Sequence, residues 1–279
     1  MKENRKTGAI HQLDKKLSVP KHNIIGLDGK PLKKEFRRFD ADPDKKKLLC
    51  IYVPVSMPFV YRKFFANFLR IIHPSHFINW KKYGVVSYYT QIQTTFPLCK
   101  NRNEAVLKAL EHEADYIMFV DADMQHPAEI ITQLLAHQLP VVSGMYFHQA
   151  PPHLPVVYKH KEGIHYTHYY DYPKDELFTV DLVGMGCMLV DTKIFKHIEL
   201  PYFGYRSSRK DGIVEGTEEV IFCEKIREAG FDIVVDPKIQ CTHFAIEDVS
   251  EVSFDSYMNE YKTGQALLEK FGETYRNAT

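Results

Sequence analysis

Asp121 and Asp123 stand one residue apart directly after the apolar run Ile117 to Val120. Four apolar residues in a row suit a strand buried on both faces, so the two carboxylates leave the carboxyl end of a central strand. Ligands of open α/β sheets bind at that end, and acidic side chains there are costly unless a cation or hydrogen-bond donors meet them. Hard carboxylate oxygens suit Mg²⁺ or Mn²⁺, which bridges to phosphate oxygens and neutralises charge on a leaving diphosphate. A divalent metal holding a phosphorylated ligand is the chemistry these residues predict. A second acidic pair, Glu218 and Glu219, follows the N-cap candidate Thr217 and opens a helix that runs to about Ala229 and stops at Gly230. A carboxylate there can take a proton from a hydroxyl within hydrogen-bond reach, and it also suits the positive end of a helix.

The elements that position these groups are read from periodicity. Lys47 to Ser56 is a strand ending at Pro54, which cannot donate to a sheet ladder. An aromatic-rich amphipathic helix from Pro58 to about Ile72 follows, then a strand from Gly84 to Ile92. Next is a helix at about Lys100 to Glu113 with Ala105, Val106, Ala109 and Leu110 on one stripe. With the aspartate-bearing strand, the order predicts parallel strands joined by crossovers, a Rossmann-like half. Further on, a helix opens at His126-Pro127, with Ile130, Ile131, Leu134 and Leu135 inward, and a strand spans Pro140 to Phe147. The proline-, histidine- and tyrosine-rich stretch after it, with Tyr158, Tyr166, Tyr169, Tyr170 and Tyr172, predicts antiparallel strands and loops that carry substrate contacts. Thr179 to Val190 reads as one strand in which Gly184 and Gly186 imply a bend or a close backbone approach. A short helix near Thr192 to His197, a strand pair from Asp232 to Phe244 and a terminal helix from Asp255 to about Tyr275 complete the pattern.

At 279 residues the chain is long enough for a full core, and its 36 basic and 36 acidic residues balance, so net charge gives no reason to expect a nucleic-acid or membrane partner. Five scattered cysteines without a Cys-x-x-Cys pair read as reduced core thiols of a cytoplasmic protein. The charged N-terminus lacks the apolar run of a signal peptide, and no eighteen consecutive apolar residues offer a membrane span. Three parts are expected: a basic arm over 1–46 with a turn at Asp28-Gly29, a main domain over 47–245, and a helical extension over 246–279.

Four motifs taken in order resemble a GT-A glycosyltransferase, nearest in flavour to the family 2-like enzymes of bacteria and their viruses. They are Arg102-Asn103-Glu104, Phe119 to Met124 with its Asp-x-Asp, Val183 to Val190, and Glu218-Glu219 opening the helix before Val235 to Lys238 and Thr242-His243. The resemblance spans about 47 to 245. It implies a mixed, mainly parallel central sheet flanked by helices, with a smaller antiparallel acceptor-side region. It also implies transfer of a sugar from a nucleotide-sugar, a UDP- or GDP-sugar, to a hydroxyl acceptor. In such enzymes Asp123 matches a direct ligand of Mn²⁺ or Mg²⁺, Asp121 matches a residue on the ribose or metal, and His243 fits a third ligand, which favours Mn²⁺ over Mg²⁺. Val53, Pro54 and Val55 match the loop on the base, Arg102 the basic residue near base and diphosphate, and Gly184 and Gly186 the loop behind the transferred sugar. The family commonly reads Glu-Asp where this chain has Glu218-Glu219, so the position of the base in inverting transfer is Glu219. Glu218 is the alternative, a group on the acceptor hydroxyl, and inversion and retention both stay open.

Other readings stand beside this one. A haloacid dehalogenase-type phosphatase would carry its Asp-x-Asp on the first strand, not the third. A nucleotidyltransferase would want a Gly-rich basic loop where Tyr52 to Met57 lacks one. A non-catalytic nucleotide-sugar-binding subunit would have no need of both aspartates, the glutamate pair and His243. For the acceptor, a carbohydrate, a small molecule and a DNA base are open. The tyrosines suit stacking on a ring, and the basic arm suits an anionic polymer.

Overall fold

The structure, a computed structural model, describes residues 23–33, 36, 45–55, 60–94, 96–162, 165–207, 214–244, 250, 251, 254, 255, 258, 259 and 262. Most of the expected N-terminal arm and most of the expected terminal helix lie outside them, although 251, 254, 255, 258, 259 and 262 are helical. Within the stretch read as an arm, β1 (Ile24–Ile25) is buried and joins the central sheet, and Gly29 (φ 76°) makes the turn that returns Leu32 to Ile24.

β2 (Lys47–Pro54) leads to α1 (Arg62–Ile71), α2 (Pro74–Trp80), a 3-10 turn at Lys81–Tyr83 and β3 (Val85–Gln93). α3 (Leu98–Glu111) then leads to β4 (Tyr116–Val120), and β2 lies between β3 and β4, parallel to both. This is the expected parallel half. β4 is buried on both faces as its apolar run requires: Ile117 and Phe119 enter one core, Met118 and Val120 the other. α1 starts later than expected and buries Phe64, Asn67, Phe68 and Ile71. α2, which periodicity did not show, is opened by His73, whose ring accepts from the Ser75 N–H, and by Pro74 at its first position.

β5 (Met124–Gln125) precedes α4 (Ile130–His137), and β6 (Val141–Met145) follows. The expected start of this helix at Pro127 is corrected: Met124 and Gln125 are drawn into extended pairing further along the chain, so helical geometry begins only at Ile130. β7 (Val157–His160) and β8 (Tyr166–His168) form the expected antiparallel region, followed by β9 (Leu177–Val180), β10 (Leu182–Val183) and β11 (Cys187–Asp191). The single strand expected from Thr179 to Val190 is therefore three, in two sheets, broken at Asp181 and at Gly184 to Gly186. Asp181 turns the chain by accepting the His160 N–H, and a Cβ on Gly184 would overlap the Tyr146 hydroxyl.

A 3-10 turn (Thr192–Lys196) leads to β12 (Arg206–Ser207) and β13 (Val214–Gly216), then α5 (Glu218–Glu228), β14 (Ile233–Gln240) and β15 (Thr242–His243). Gly230, at φ 82°, ends α5 as expected. The large sheet runs β1-β9-β14-β6-β11-β4-β2-β3. β11 is antiparallel to β4 and β6, β14 antiparallel to β9, and the other junctions are parallel. The architecture is thus mixed α/β, with a large central sheet flanked by helices and small antiparallel sheets beside it. His137 at the end of α4 is tied to Asp236 of β14 by a 2.8 Å hydrogen bond.

Candidate active site

Three chain segments meet at the carboxyl end of β4. The β4–β11 ladder continues one step past Val120, where the Asp121 N–H donates to the Gly186 carbonyl at 3.1 Å, fixing Asp121 at the sheet edge. α3 turns its inner face, Asn101, Arg102, Ala105, Val106 and Ala109, toward the sheet, which carries the Arg102 guanidinium beneath Asp121. The first turn of α5 supplies Glu218 and Glu219 from the other side. Arg102 lies 2.7 Å from Glu218, 3.1 Å from Glu219 and 3.8 Å from Asp121. Tyr52 and Asn101, joined at 2.8 Å, lie beside it.

One guanidinium thus faces three carboxylates, and their ionisation is split by environment. Burial, reinforced by Asp123, Glu219 and Glu218, outweighs Arg102 and pushes Asp121 up to about 7. Burial and the neighbouring Glu219 also raise Glu218. Burial acts on Glu219 in the same direction, but Arg102 and the Thr217 hydroxyl outweigh it and hold that carboxyl below its ordinary value. Arg102 itself, though buried, is held protonated by the three acids. Glu219 is therefore an ionised carboxylate, and its side chain keeps 23% of its surface exposed where that of Glu218 keeps 6%.

Asp123 and His243 meet on the neighbouring two-stranded sheet, where His243 pairs with Met124 and the Phe244 N–H donates to the Asp123 carbonyl at 2.8 Å. Gln149 donates to the Asp123 carboxylate at 3.3 Å. The His243 ring packs edge-on against Tyr146, with centroids 5.3 Å apart, and its Nδ1 is bonded to the Phe147 carbonyl. A carbonyl only accepts, so Nδ1 carries the hydrogen and Nε2 keeps the lone pair, the arrangement that prepares an imidazole as a metal ligand. The donor chemistry fits a divalent cation: with Asp123 there are four carboxylates to the single Arg102, plus this imidazole. Among the described residues, however, the ligand atoms of Asp121, Asp123 and His243 do not all come within 4.8 Å of one another.

The remaining expected residues fall at the same edge. Val53 and Pro54 are buried at the end of β2, beside the end of β4, and the Val55 N–H donates to Gln93. A Cβ on Gly186 would lie 2.9 Å from Asp121 Oδ2 and 2.5 Å from Met124 Sδ, so its lack of a side chain lets Asp121 sit where it does. Arg102 does not face open solvent: its side chain is 2% exposed, and its role in this structure is to gather carboxylates. Tyr146 is a residue sequence reasoning missed. Its hydroxyl accepts the Gly186 N–H at 3.0 Å while its ring supports His243, and no local pattern announces either contact. Beyond His243 lies an aromatic and imidazole wall: His148 bonded to Tyr158 at 2.8 Å, Tyr158 against His168, and Tyr170, 46% exposed, stacked on Phe254. Tyr158 is close enough to Glu219 to have its ionisation disfavoured by that charge in addition to burial.

No family model matches the chain, and no curated protein matches it in sequence. Solved structures are similar in chain path. A197 from STIV matches at 16% identity over 71% of this chain and 86% of that one, with a TM-score of 0.43. The catalytic domain of Drosophila β1,4-galactosyltransferase 7 in complex with xylobiose matches at 21% over 69% and 66%, with a TM-score of 0.38. A putative glucose-1-phosphate thymidylyltransferase from Bacillus anthracis matches at 11% over 70% and 89%, with a TM-score of 0.37. At these values the likeness says nothing about substrate. No helix among the described residues is long and apolar enough to cross a membrane.

Proposed function

We propose that the chain is a metal-dependent glycosyltransferase that moves a sugar from a nucleoside diphosphate donor to a hydroxyl acceptor with inversion. The observation that carries this reading is the convergence of Asp121, Glu218 and Glu219 on Arg102, which joins motifs more than a hundred residues apart at the ligand-binding edge of the sheet. Asp123 and His243, with Asp121, are the residues that would hold Mn²⁺ or Mg²⁺. The cation would supply neutralisation of the diphosphate as it leaves.

The chain's own residues do the rest. Glu219 takes the proton of the acceptor hydroxyl as its oxygen bonds to the anomeric carbon and the bond from that carbon to the diphosphate breaks. Arg102 keeps Glu219 ionised and fixed. Glu218, buried on the same guanidinium, sets the position of both. Val53, Pro54 and Val55 form the floor for the base. Gly184 and Gly186 leave room beside Asp121, and the wall of Tyr158, His168 and Tyr170 stacks on the acceptor ring. Calorimetric titration with UDP- and GDP-sugars, with and without Mn²⁺, tests the donor half. The reading predicts binding that needs the cation and is lost in Asp123→Ala.

A further inference from the structure

Away from the core that α5 enters, His126 joins Cys187 and Cys241 of the second apolar core, and the three bring their ligand atoms within 4.8 Å of one another. They come from three separate segments, and all three residues are buried, at 2%, 0% and 1% exposure. His126 is held on every side but one. Asn67 donates to its carbonyl at 2.7 Å and accepts its N–H at 2.8 Å, and its Nε2 is bonded to the Gly186 carbonyl at 2.8 Å. Because that carbonyl only accepts, Nε2 carries the hydrogen and Nδ1 is a bare lone pair, and Nδ1 is buried without a hydrogen-bond partner. An orphaned buried acceptor calls for an explanation, and two soft sulfur donors within 4.8 Å of a nitrogen of the same ring supply one.

We propose that His126, Cys187 and Cys241 form a structural site for a thiophilic cation, Zn²⁺ or Cu⁺. Thiolate with imidazole selects these cations over the hard Mn²⁺ or Mg²⁺. The apolar surroundings keep the imidazole neutral and free to coordinate, pushing its pKa down to about 4. Two thiolates balance the charge of Zn²⁺, so the loaded site adds no net charge to the core, and each thiol gives up its proton on loading. The cation would brace the candidate active site from behind: the Gly186 carbonyl that bonds to His126 also receives the Asp121 N–H.

The test uses the full chain, purified under reducing conditions and loaded separately with Zn²⁺ and with Cu⁺, its metal content measured after dialysis against a mild chelator. The expected result is about one equivalent of one of the two cations, with release of about two protons per Zn²⁺ at pH 7 in the zinc arm. Retention of that metal should fall at least tenfold in Cys187→Ser and Cys241→Ser but persist in Asp123→Ala, which separates this site from the proposed donor site. Should the cysteine variants fail to fold, Co²⁺ loading of the unaltered chain decides, since thiolate ligation gives an intense near-ultraviolet charge-transfer band. Retention of neither cation, a Co²⁺ spectrum without that band, or a Cys187–Cys241 disulfide in the reduced preparation would overturn the proposal.

Discussion

Arg102 and Glu218 lie 2.7 Å apart across 116 residues of sequence, and both side chains are almost wholly out of water. A buried pair of this kind is weak evidence of net stabilisation, but removing one partner leaves an uncompensated charge in the core. Arg102→Met should therefore lower unfolding free energy by about 3–5 kcal/mol. Arg102→Met combined with Glu218→Gln should lose clearly less than the sum of the single losses, because the doubly changed core buries one charge fewer. Urea denaturation of the four proteins measures the coupling, and strict additivity would mean that the two residues do not act as a unit.

The division of labour between the paired glutamates gives a kinetic prediction. Glu219→Gln should lower kcat by about 10²–10⁴-fold with little change in donor KM, because only proton removal is lost. Glu219→Asp should restore part of the rate, since the carboxylate is kept on a shorter arm. Glu218→Gln should instead show its main effect in stability, as its carboxylate is spent on Arg102. An equal loss of kcat in Glu218→Gln and Glu219→Gln would refute this assignment.

Much of this arrangement was readable before any coordinates. The apolar run of β4, the parallel order of β2, β3 and β4, and the N-terminal position of Glu218 and Glu219 on α5 follow from local pattern, because periodicity and end residues fix them. Gly184 and Gly186 mark a bend or close backbone approach between β10 and β11 but not its cause, since Tyr146, some forty positions earlier, fills the space above Gly184. Nor could any spacing show that Arg102 faces the carboxylates. The resemblance sets Arg102, which precedes both acidic motifs, near the base and diphosphate, and read alone it suits a helix-surface salt bridge nearly as well. Its burial in α3 against three carboxylates is a tertiary contact. The delayed start of α4 has the same origin, a pairing of Met124 and Gln125 with residues over a hundred positions away.

Glycine substitutions separate packing from chain freedom. A Cβ on Gly186 would crowd Asp121 Oδ2 at 2.9 Å, and one on Gly184 would crowd Val156 at 2.8 Å and the Tyr146 hydroxyl. Each alanine variant should cost about 1–3 kcal/mol through overpacking. Gly204→Ala, where a Cβ would meet nothing within 4 Å, should stay within about 0.5 kcal/mol of the unaltered chain. Thermal unfolding of the three variants checks the contrast.

The pair formed by His137 and Asp236 gives stability a defined pH dependence. Burial pushes the Asp236 carboxyl up, but the His137 hydrogen bond, the Lys238 N–H and the charges of both residues outweigh it and hold the carboxyl below its ordinary value. A group depressed on folding contributes stability that is fully present above its unfolded pKa of about 3.9 and is lost as pH falls through the lower folded value. Asp236→Asn should thus destabilise the chain by about 1–3 kcal/mol at pH 7 and converge with the unaltered chain in strong acid. Parallel melting curves that keep their separation down to pH 2 would contradict the assignment.

The central claim, that the acidic edge of β4 is the donor site of a sugar transferase, is tested most directly by following nucleoside diphosphate release from a panel of nucleotide-sugars by mass spectrometry with Mn²⁺ present. The account predicts release from at least one donor by the unaltered chain, its abolition on chelation of the metal, and its loss in Asp123→Ala. Release from none of the donors by a folded, Mn²⁺-supplied protein, or the same release in Asp123→Ala, would contradict it.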